Sequence, residues 1–338
     1  DNDRMVLPSV DEHTLRAALT PALAVQAISE AFRADGEGRT SVPPVINLQV
    51  PGTRGEFHVK TAWVQGVPLI AVKVASGFYD NPALGLPTGS GLMALFDAST
   101  GMPVGMLFDN GFLTDLRTGA AGAVAAECLA RQDITTVGVI GSGVQARYQV
   151  RCLREVRRFS RIVAWSPDRG GLDAYCVEMR DALGIDVVAA DGAEPVCRQA
   201  DLLITATPAR QPLVKAEWLR PGVHVTALGS DTPGKQELEA QCLVRADLVV
   251  VDRLSQCARF GELSHAIAAG LLTESGVSAQ LGEVVAGRKP GRTRTDQVTI
   301  CDLTGVGFQD TAIAALAWAR VQEKGPAEHA GPAIKGNV

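Results

Sequence analysis

Val137-Gly-Val-Ile-Gly-Ser-Gly-Val-Gln-Ala146 is the stretch of this sequence that decides the fold. The uncharged, β-branched run over residues 135 to 140 predicts a buried strand, and apolar residues with helical spacing follow from Val144 to Val156. Strand, glycine turn and helix in this order form the phosphate-binding corner of a dinucleotide fold. Gly141 permits the tight turn, and Gly143 lets the backbone approach a pyrophosphate. A plain βα turn is the alternative, and the strand–helix context favours the nucleotide site.

The composition narrows the class of protein. A chain of 338 residues with 46% hydrophobic and 20% charged residues predicts about two soluble domains. The net charge of −5 argues against nucleic acid or an anionic membrane as the main partner. No apolar run reaches the roughly 18 residues of a membrane span, and no signal-type segment opens the chain, so we expect a cytoplasmic enzyme. The seven cysteines are scattered and form no Cys/His cluster, which argues against zinc, other metal sites and disulfides.

The order of predicted elements indicates two domains. One or two helices over residues 11 to 34 precede strand candidates at 45–50, 57–63, 69–75, 91–97 and 102–109, and a helix covers 113–130. Strands and helices then alternate, with strand candidates at 135–140, 161–165, 186–190, 201–206, 223–228, 247–251 and 297–302 and helical segments at 144–157, 171–183, 236–243 and 309–322.

This pattern predicts an α/β fold, with a Rossmann doubly wound parallel sheet beside a separate α+β domain. The Rossmann domain is expected at residues 131–309. The other domain combines residues 1–130 with 310–338, because the last helix lies outside the repeating units. Residues 324 to 338 are expected to be a frayed tail.

The end of the second Rossmann strand bears on the cofactor. An acid there usually binds the ribose 2′-hydroxyl of NAD, but Arg161-Ile-Val-Ala-Trp165 is followed by Ser166, and Asp168 comes two residues later. Arg169 either binds the 2′-phosphate of NADP or is a solvated surface residue. The sequence therefore predicts NAD(P) and leaves NAD versus NADP open.

Three residues suggest chemistry on an amino or imino acid. Asp231 follows a strand end, where a carboxylate beside a nicotinamide can exchange a proton with a nitrogen, or else it caps a helix after Pro233. Lys73 lies in an apolar strand and is costly to bury unless it meets an anion. Arg117 opens an apolar helix and can bind a carboxylate in bidentate fashion, or pair with an acid such as Asp115. His58 and Lys60 lie on one face of a neighbouring strand.

These residues resemble the ornithine cyclodeaminase/μ-crystallin family over residues 15 to 322. The most specific strings are Gly-Leu-Pro-Thr88-Gly-Ser, Thr-Asp-Leu-Arg117-Thr-Gly-Ala-Ala, Gly141-Ser-Gly-Val-Gln-Ala and Gly-Ser-Asp231-Thr-Pro-Gly-Lys235-Gln-Glu-Leu. The resemblance implies a homodimer in which a Rossmann domain binds NAD(P) and the other domain dimerises and binds a small imino- or amino-acid substrate.

The resemblance also assigns roles to individual residues. Lys73 and Asp231 are similar to the catalytic pair, and Arg117 and Gly305 to substrate-binding residues. Its cofactor-binding set comprises Thr88, Gly143, Val144, Gln145, Thr207, Ala227, Leu228, Gly229 and Lys235. The glycine turn and the end of the second strand add Gly141, Ser166 and Asp168 to the expected cofactor contacts.

Departures from the family pattern narrow the activity. Ornithine cyclodeaminases have a glutamate where His58 stands here. Lys60 occupies a usually apolar position and suggests a second anionic group on the substrate, or is an exposed strand lysine. We therefore expect an NAD(P)-dependent imine reductase or amino-acid dehydrogenase. A cyclodeaminase that releases ammonia and recycles NAD, and a non-catalytic crystallin-like binding protein, are the alternatives.

Overall fold

The computed structural model describes residues 7–323, and these form two compact units. The first unit contains residues 7–23, 40–114 and 307–323, and the second contains 24–39 and 115–306. Residues 24–39 and 115–130, which the sequence analysis assigned to the first domain, thus belong to the second unit. The expected frayed tail at 324–338 lies outside the described residues.

The first unit is an α+β structure around one sheet. Its strands are β1 (Ser9–Asp11), β2 (Thr40–Ser41), β3 (Ile46–Val50), β4 (Gly55–Val64), β5 (Leu69–Phe78), β6 (Gly89–Asp97) and β7 (Pro103–Phe108). They run in the order β1-β7-β6-β5-β4-β2, with β3 also paired to β4, and all pairs are antiparallel except β1 with β7. Two helices complete the unit, α1 (Glu12–Ala18) and α11 (Gly307–Glu323).

The two faces of this sheet differ in their surroundings. One face is buried beneath α11, which packs on β4 and β5, and Thr311 of α11 donates to the carbonyl oxygen of Ala62 at 2.8 Å. The opposite face carries half-buried apolar side chains that alternate with the buried ones, including Val72 and Met106, and more exposed ones such as Leu48 on β3. Within residues 7–323, the first-unit sheet therefore has one face packed against a helix and an opposite face of half-buried and exposed apolar side chains.

The second unit is the predicted Rossmann sheet. Eight parallel strands follow the order β10-β9-β8-β11-β12-β15-β13-β14, which begins with the 3-2-1-4-5 sequence of a doubly wound fold. They are β8 (Thr136–Ile140), β9 (Arg161–Trp165), β10 (Asp186–Ala189), β11 (Leu202–Thr205), β12 (His224–Ala227), β13 (Leu248–Val251), β14 (Ala279–Gln280) and β15 (Thr299–Asp302).

The helices of this unit include several that the sequence analysis missed. They are α2 (Pro21–Gly36) and α3 (Phe112–Leu129), whose first residues belong to the first unit, and α4 (Val144–Val156), α5 (Arg169–Leu183), α6 (Ala193–Gln199), α7 (Gln241–Arg245), α8 (Leu254–Phe260), α9 (Glu262–Ala268) and α10 (Leu281–Val285). The missed helices α6, α8, α9 and α10 have five to seven residues, too few for a clear periodic pattern. No helix within residues 7–323 is long and apolar enough to cross a membrane.

One predicted helix is wrong in its first half. Residues 236–240, expected to open a helix, are irregular, and Leu238 forms a parallel bridge to Val214 before α7 begins. The backbone amides of Glu237 and Leu238 donate to the buried carboxylate of Glu262, at 2.8 and 3.1 Å. A tertiary partner thus replaces the local hydrogen bonds of a helix.

Close packing explains why α3 belongs to the second unit. A side chain on Gly119 would come within 2.7 Å of the Tyr148 carbonyl oxygen in α4, and Gln149 of α4 donates to the carbonyl oxygen of Thr118 at 2.8 Å. The missing side chain on α3 lets the two helix backbones approach each other. Such proximity depends on tertiary packing and is not visible in the periodicity of α3.

Candidate functional site

The glycine turn between β8 and α4 has the shape that an anion-binding corner needs. Gly141 has φ +116°, and a Cβ there would lie 2.6 Å from the carbonyl oxygen of Ala206. Gly143 is the N-cap of α4, no side chain caps the first turn, and no atom lies within 4 Å of where its Cβ would stand. Arg147 steadies the turn by donating to the carbonyl oxygens of Ser142 and Gly143. The open helix N-terminus therefore fits a dinucleotide pyrophosphate.

Four further expected cofactor-binding residues, Val144, Gln145, Ser166 and Asp168, also lie in the second unit. Val144 is exposed, and the Gln145 side chain donates to Asp115 of α3 at 2.7 Å. Ser166 is buried just beyond β9, and its hydroxyl accepts from the amide of Asp168 at 3.3 Å. Asp168 in turn caps the N-terminus of α5.

A buried glutamate joins the loops that follow β11 and β12. One oxygen of Glu237 accepts from the backbone amide and hydroxyl of Thr207, at 2.6 and 2.7 Å. The other accepts from the Thr205 hydroxyl and the Gly229 amide, both at 2.7 Å. Burial raises the pKa of Glu237, while these hydrogen bonds favour the carboxylate. Two expected cofactor-binding residues, Thr207 and Gly229, are therefore fixed by a residue that was not among the expected site residues.

Further buried acids extend this network along the strand ends. Asp302, at the end of β15, accepts from the amide of Leu263 at 3.0 Å, and its second oxygen has no hydrogen-bond partner among residues 7–323. Burial, together with the charge of Asp252, raises the pKa of Asp302 to about 7. Burial and the charges of Glu237 and Asp302 also raise the pKa of Glu262 well above its usual value. Several carboxyl groups thus share one buried region.

Asp231 lies on the loop after β12 and is held by a lysine. The Lys235 ammonium donates to the Asp231 carboxylate at 2.8 Å, and the Asp231 side chain is 47% exposed while that of Lys235 is 10% exposed. The Lys235 carbonyl oxygen accepts from the Ser230 hydroxyl at 2.6 Å and lies 2.7 Å from a ring nitrogen of His265. The alternative that Asp231 caps a helix after Pro233 is wrong, because no helix begins there. An oriented carboxylate with an accessible oxygen remains.

Arg117 packs against the loop that contains Gly305. Gly305 has φ +78°, and a Cβ on it would lie 2.8 Å from the Arg117 guanidinium. The buried Asp252 fixes this loop, because one carboxylate oxygen accepts from the amides of Thr304 and Gly305 at 2.8 and 2.7 Å. Gln256 adds a hydrogen bond to the Gly305 carbonyl oxygen at 2.9 Å. Two of the expected substrate-binding residues are therefore direct neighbours.

Lys73 meets an anion of its own unit. Its ammonium lies 3.1 Å from the Asp310 carboxylate in α11, and both side chains are almost fully buried. Lys60 stands directly opposite Lys73 in the β4–β5 pairing and is itself buried. Asp109 adds a further buried carboxyl group. Burial raises its pKa above the usual value, and the charge of Lys73 opposes part of this rise. The first unit thus gathers two lysines and two acids on the buried side of its sheet.

Glu56, a buried acid that the sequence analysis missed, lies beside His58. His58 pairs with Asn47 at 2.6 Å, and its other ring nitrogen lies 3.5 Å from Glu56. Glu56 is buried and accepts from the Tyr79 hydroxyl at 2.7 Å and from the Gln49 amide at 2.9 Å. Glu56 lies two residues before His58, so both point to the same side of β4.

The expected residues are therefore distributed over both units. The first unit holds His58, Lys60, Lys73 and Thr88, whose carbonyl oxygen accepts from the Phe78 amide at 2.8 Å. The second holds all the others. The sequence analysis overlooked Glu56, Asp252 and Asp310 as contributors. For Glu237, its place in the string around Lys235 indicated the site but not its contacts.

Removing the Glu237 carboxylate should destabilise the second unit. We expect Glu237→Ala to lower the free energy of unfolding by about 3 to 5 kcal/mol, because four buried donors lose their acceptor. Glu239→Ala is the matched control, since Glu239 accepts from one backbone amide, that of Ala216, and should cost about 1 kcal/mol. Urea unfolding measures both values. Equal losses in the two variants would contradict the role of Glu237.

The raised pKa of Asp302 predicts a pH-dependent stability. The folded chain holds a proton on Asp302 up to about pH 7, whereas the unfolded chain releases it near the ordinary value of 3.8. The stability that Asp302 contributes is therefore present below about pH 4 and is lost as pH rises toward 7.

Asp302→Asn should remove this loss. Its free energy of unfolding, relative to that of the wild type, should therefore rise by about 2 to 4 kcal/mol from pH 4 to pH 8. Asp201→Asn is the control and should show no such gain between these pH values, because the stability that Asp201 contributes is lost only below about pH 4. Burial opposes ionisation of Asp201, but hydrogen bonds from Thr135 and Thr136 hold its pKa below the usual range. Urea unfolding at both pH values measures the differences. A constant difference between Asp302→Asn and the wild type would refute the assignment.

Known proteins resemble this chain over almost its full length. The family model described as ornithine cyclodeaminase/mu-crystallin family matches residues 6–325. An alanine dehydrogenase from Archaeoglobus fulgidus is 37% identical over 312 residues, which cover 92% of this chain and 93% of the relative.

Two solved structures have the same fold. An archaeal alanine dehydrogenase dimer with bound NAD has a TM-score of 0.89 at 34% identity, covering 95% of this chain and 98% of the other. The Δ1-pyrroline-2-carboxylate reductase of Thermococcus litoralis, in complex with NADH and L-proline, has a TM-score of 0.90 at 29% identity, covering 94% and 98%. The protein therefore belongs to the ornithine cyclodeaminase/mu-crystallin family.

Proposed function

We propose that this protein is an NAD(P)-dependent oxidoreductase that interconverts a small imino acid and the corresponding amino acid. The observation that carries the proposal is Asp231, an accessible carboxylate oriented by Lys235 on a strand-end loop of the sheet that also forms the glycine turn. In such sheets, ligands bind beyond the carboxyl ends of the strands. The dehydrogenase and reductase activities of the two structural neighbours support this reaction class.

The second unit supplies the proposed cofactor site. NAD(P)H, when bound, supplies the hydride that the imine carbon receives. The amides at the start of α4 bind the pyrophosphate, and the loops at Thr207 and at Ala227, Leu228 and Gly229 line the nicotinamide side. We assign cofactor contacts to Val144, Gln145, Ser166, Asp168, Lys235 and Thr88 as well.

The chain's own side chains manage the substrate. Asp231 gives a proton to the imine nitrogen as the carbon accepts a hydride, and takes it back in the oxidative direction. Lys235 holds this carboxylate in place. Arg117 binds the substrate carboxylate in bidentate fashion, and Lys73 contributes positive charge. Lys60 and His58 recognise a further polar or anionic group of the substrate.

The open face of the first-unit sheet favours a homodimer. Half-buried apolar side chains on β5, β6 and β7 continue to more exposed ones on β3, where Ile46 and Leu48 are 64% and 57% exposed. An apolar surface of this extent is typical of a contact between subunits. A second copy of the chain is the proposed occupant, in agreement with the dimeric state given for the archaeal neighbour.

Glu56 is the observation that favours a cyclodeaminase as the second candidate function. The family resemblance places an acid at the position of His58 in ornithine cyclodeaminases, and Glu56 brings a buried carboxylate to the same side of β4. Such an enzyme would release ammonia with no net change in NAD(P)H. The reductase is preferred because the Glu56 carboxylate is already occupied by Tyr79 and Gln49.

Steady-state turnover distinguishes these functions. We expect stoichiometric oxidation of NADH or NADPH when a panel of 2-keto acids is supplied with ammonium or methylamine. Asp231→Asn should lower kcat by about 10²- to 10⁴-fold and leave nucleotide affinity within about threefold, because only the proton donor is lost. Asp191→Asn, at an exposed loop position, is the control. Ammonia release with constant NAD(P)H absorbance would favour the cyclodeaminase, and absence of any turnover would favour a binding protein.

Gly305 should act through Arg117. In Gly305→Ala, the added methyl group meets the guanidinium and displaces it, so KM for the substrate should rise by about tenfold or more while the Kd for NADH stays within about twofold. Gly270→Ala is a matched control with positive φ and open space, which tests the backbone strain alone. An unchanged KM in Gly305→Ala would contradict the role of Arg117.

A further inference from the structure

We propose that Asp168 makes this protein select NAD(H) over NADP(H), an inference that rests on the proposed dinucleotide site. The acid that binds the adenosine ribose usually stands at the end of the second strand, and here Ser166 occupies that place. Three residues beyond the end of β9, Asp168 restores a carboxylate to this corner.

The geometry brings Asp168 back toward the glycine turn. One of its oxygens accepts from the Gly171 amide at 3.1 Å and caps α5. The other oxygen borders the space above the Gly171 Cα, and the Ser142 hydroxyl of the glycine turn borders the same space, 3.4 Å from where a Cβ of Gly171 would stand. The absent side chain at position 171 therefore lets the Asp168 carboxylate lie close beside the phosphate-binding turn.

In a dinucleotide fold the adenosine ribose lies at this corner, between the pyrophosphate and the end of the second strand. A ribose 2′-hydroxyl donates a hydrogen bond to a carboxylate. A 2′-phosphate has only acceptor oxygens and about two negative charges at neutral pH, so it is repelled by the same carboxylate.

The nearby arginines are engaged elsewhere. Arg147 pairs with Glu178 at 2.6 Å and donates to carbonyl oxygens of the turn, and Arg151 pairs with the same Glu178 at 2.8 Å. Arg169 donates to the Ala190 carbonyl oxygen at 3.3 Å, on the side of β10, and lies 3.8 Å from Asp191. The charges at this corner therefore favour a neutral ribose.

Direct binding measurements test the inference. The Kd values of NADH and NADPH are measured from nucleotide fluorescence at low and high salt for the wild type, Asp168→Asn and Arg169→Ala. Asn keeps the oxygen that caps α5 and removes the charge, so folding is preserved and can be checked by thermal melting. We expect the wild type to bind NADH at least about tenfold more tightly than NADPH, with a smaller ratio at high salt.

In Asp168→Asn the ratio should fall to within about threefold, mainly through tighter NADPH binding, whereas Arg169→Ala should leave it within about twofold of the wild-type value. Equal or tighter binding of NADPH by the wild type overturns the inference, as does an unchanged ratio in Asp168→Asn. A selective loss of NADPH affinity in Arg169→Ala would also overturn it, because that arginine would then bind the phosphate. If neither nucleotide binds the wild type, the proposed function itself fails.

Discussion

The buried carboxylate of Glu237 is the interaction on which the candidate site depends. Parallel strands end in loops with no hydrogen-bond partners of their own, and a ligand site at those ends needs loops that stay in place. Glu237 meets this need by accepting from Thr205, Thr207 and Gly229 at once. In turn, the Glu262 carboxylate accepts a hydrogen bond from the backbone amide of Glu237 itself. Burial of these acids disfavours their charged forms and raises the pKa values of Glu237 and Glu262.

In the first unit, a buried cation likewise needs a partner of opposite charge. A lysine inside an apolar strand requires an anion, and Lys73 finds one in Asp310 of a helix more than two hundred residues later in the chain. This pairing explains how Lys73 is tolerated without a substrate.

The sequence predicted much of the site because the chemistry of its residues is local. The glycine turn needs only a strand, two glycines and a helix, and Gly141 and Gly143 adopt the geometry expected of them. Asp231 and Lys235 are only four residues apart, so a contact between them could be expected from the sequence. Glu56, Asp252 and Asp310 were not found, because their partners are distant in the chain and no periodicity marks a buried acid. For Glu237 and Gly305, the sequence indicated a place in the site without indicating what each contacts.

By itself, the amino-acid sequence determined the Rossmann sheet, the early antiparallel strands and the resemblance to a family, since each follows from local hydrophobic pattern and turn chemistry. Only the tertiary structure decided that α3 packs with the second unit, that residues 236–240 are not helical, and that Asp168 faces the glycine turn. These outcomes depend on which backbones approach closely and on which buried carboxylates capture amides from other segments. Such contacts join residues that are far apart along the chain, so a pattern along one segment carries no record of them.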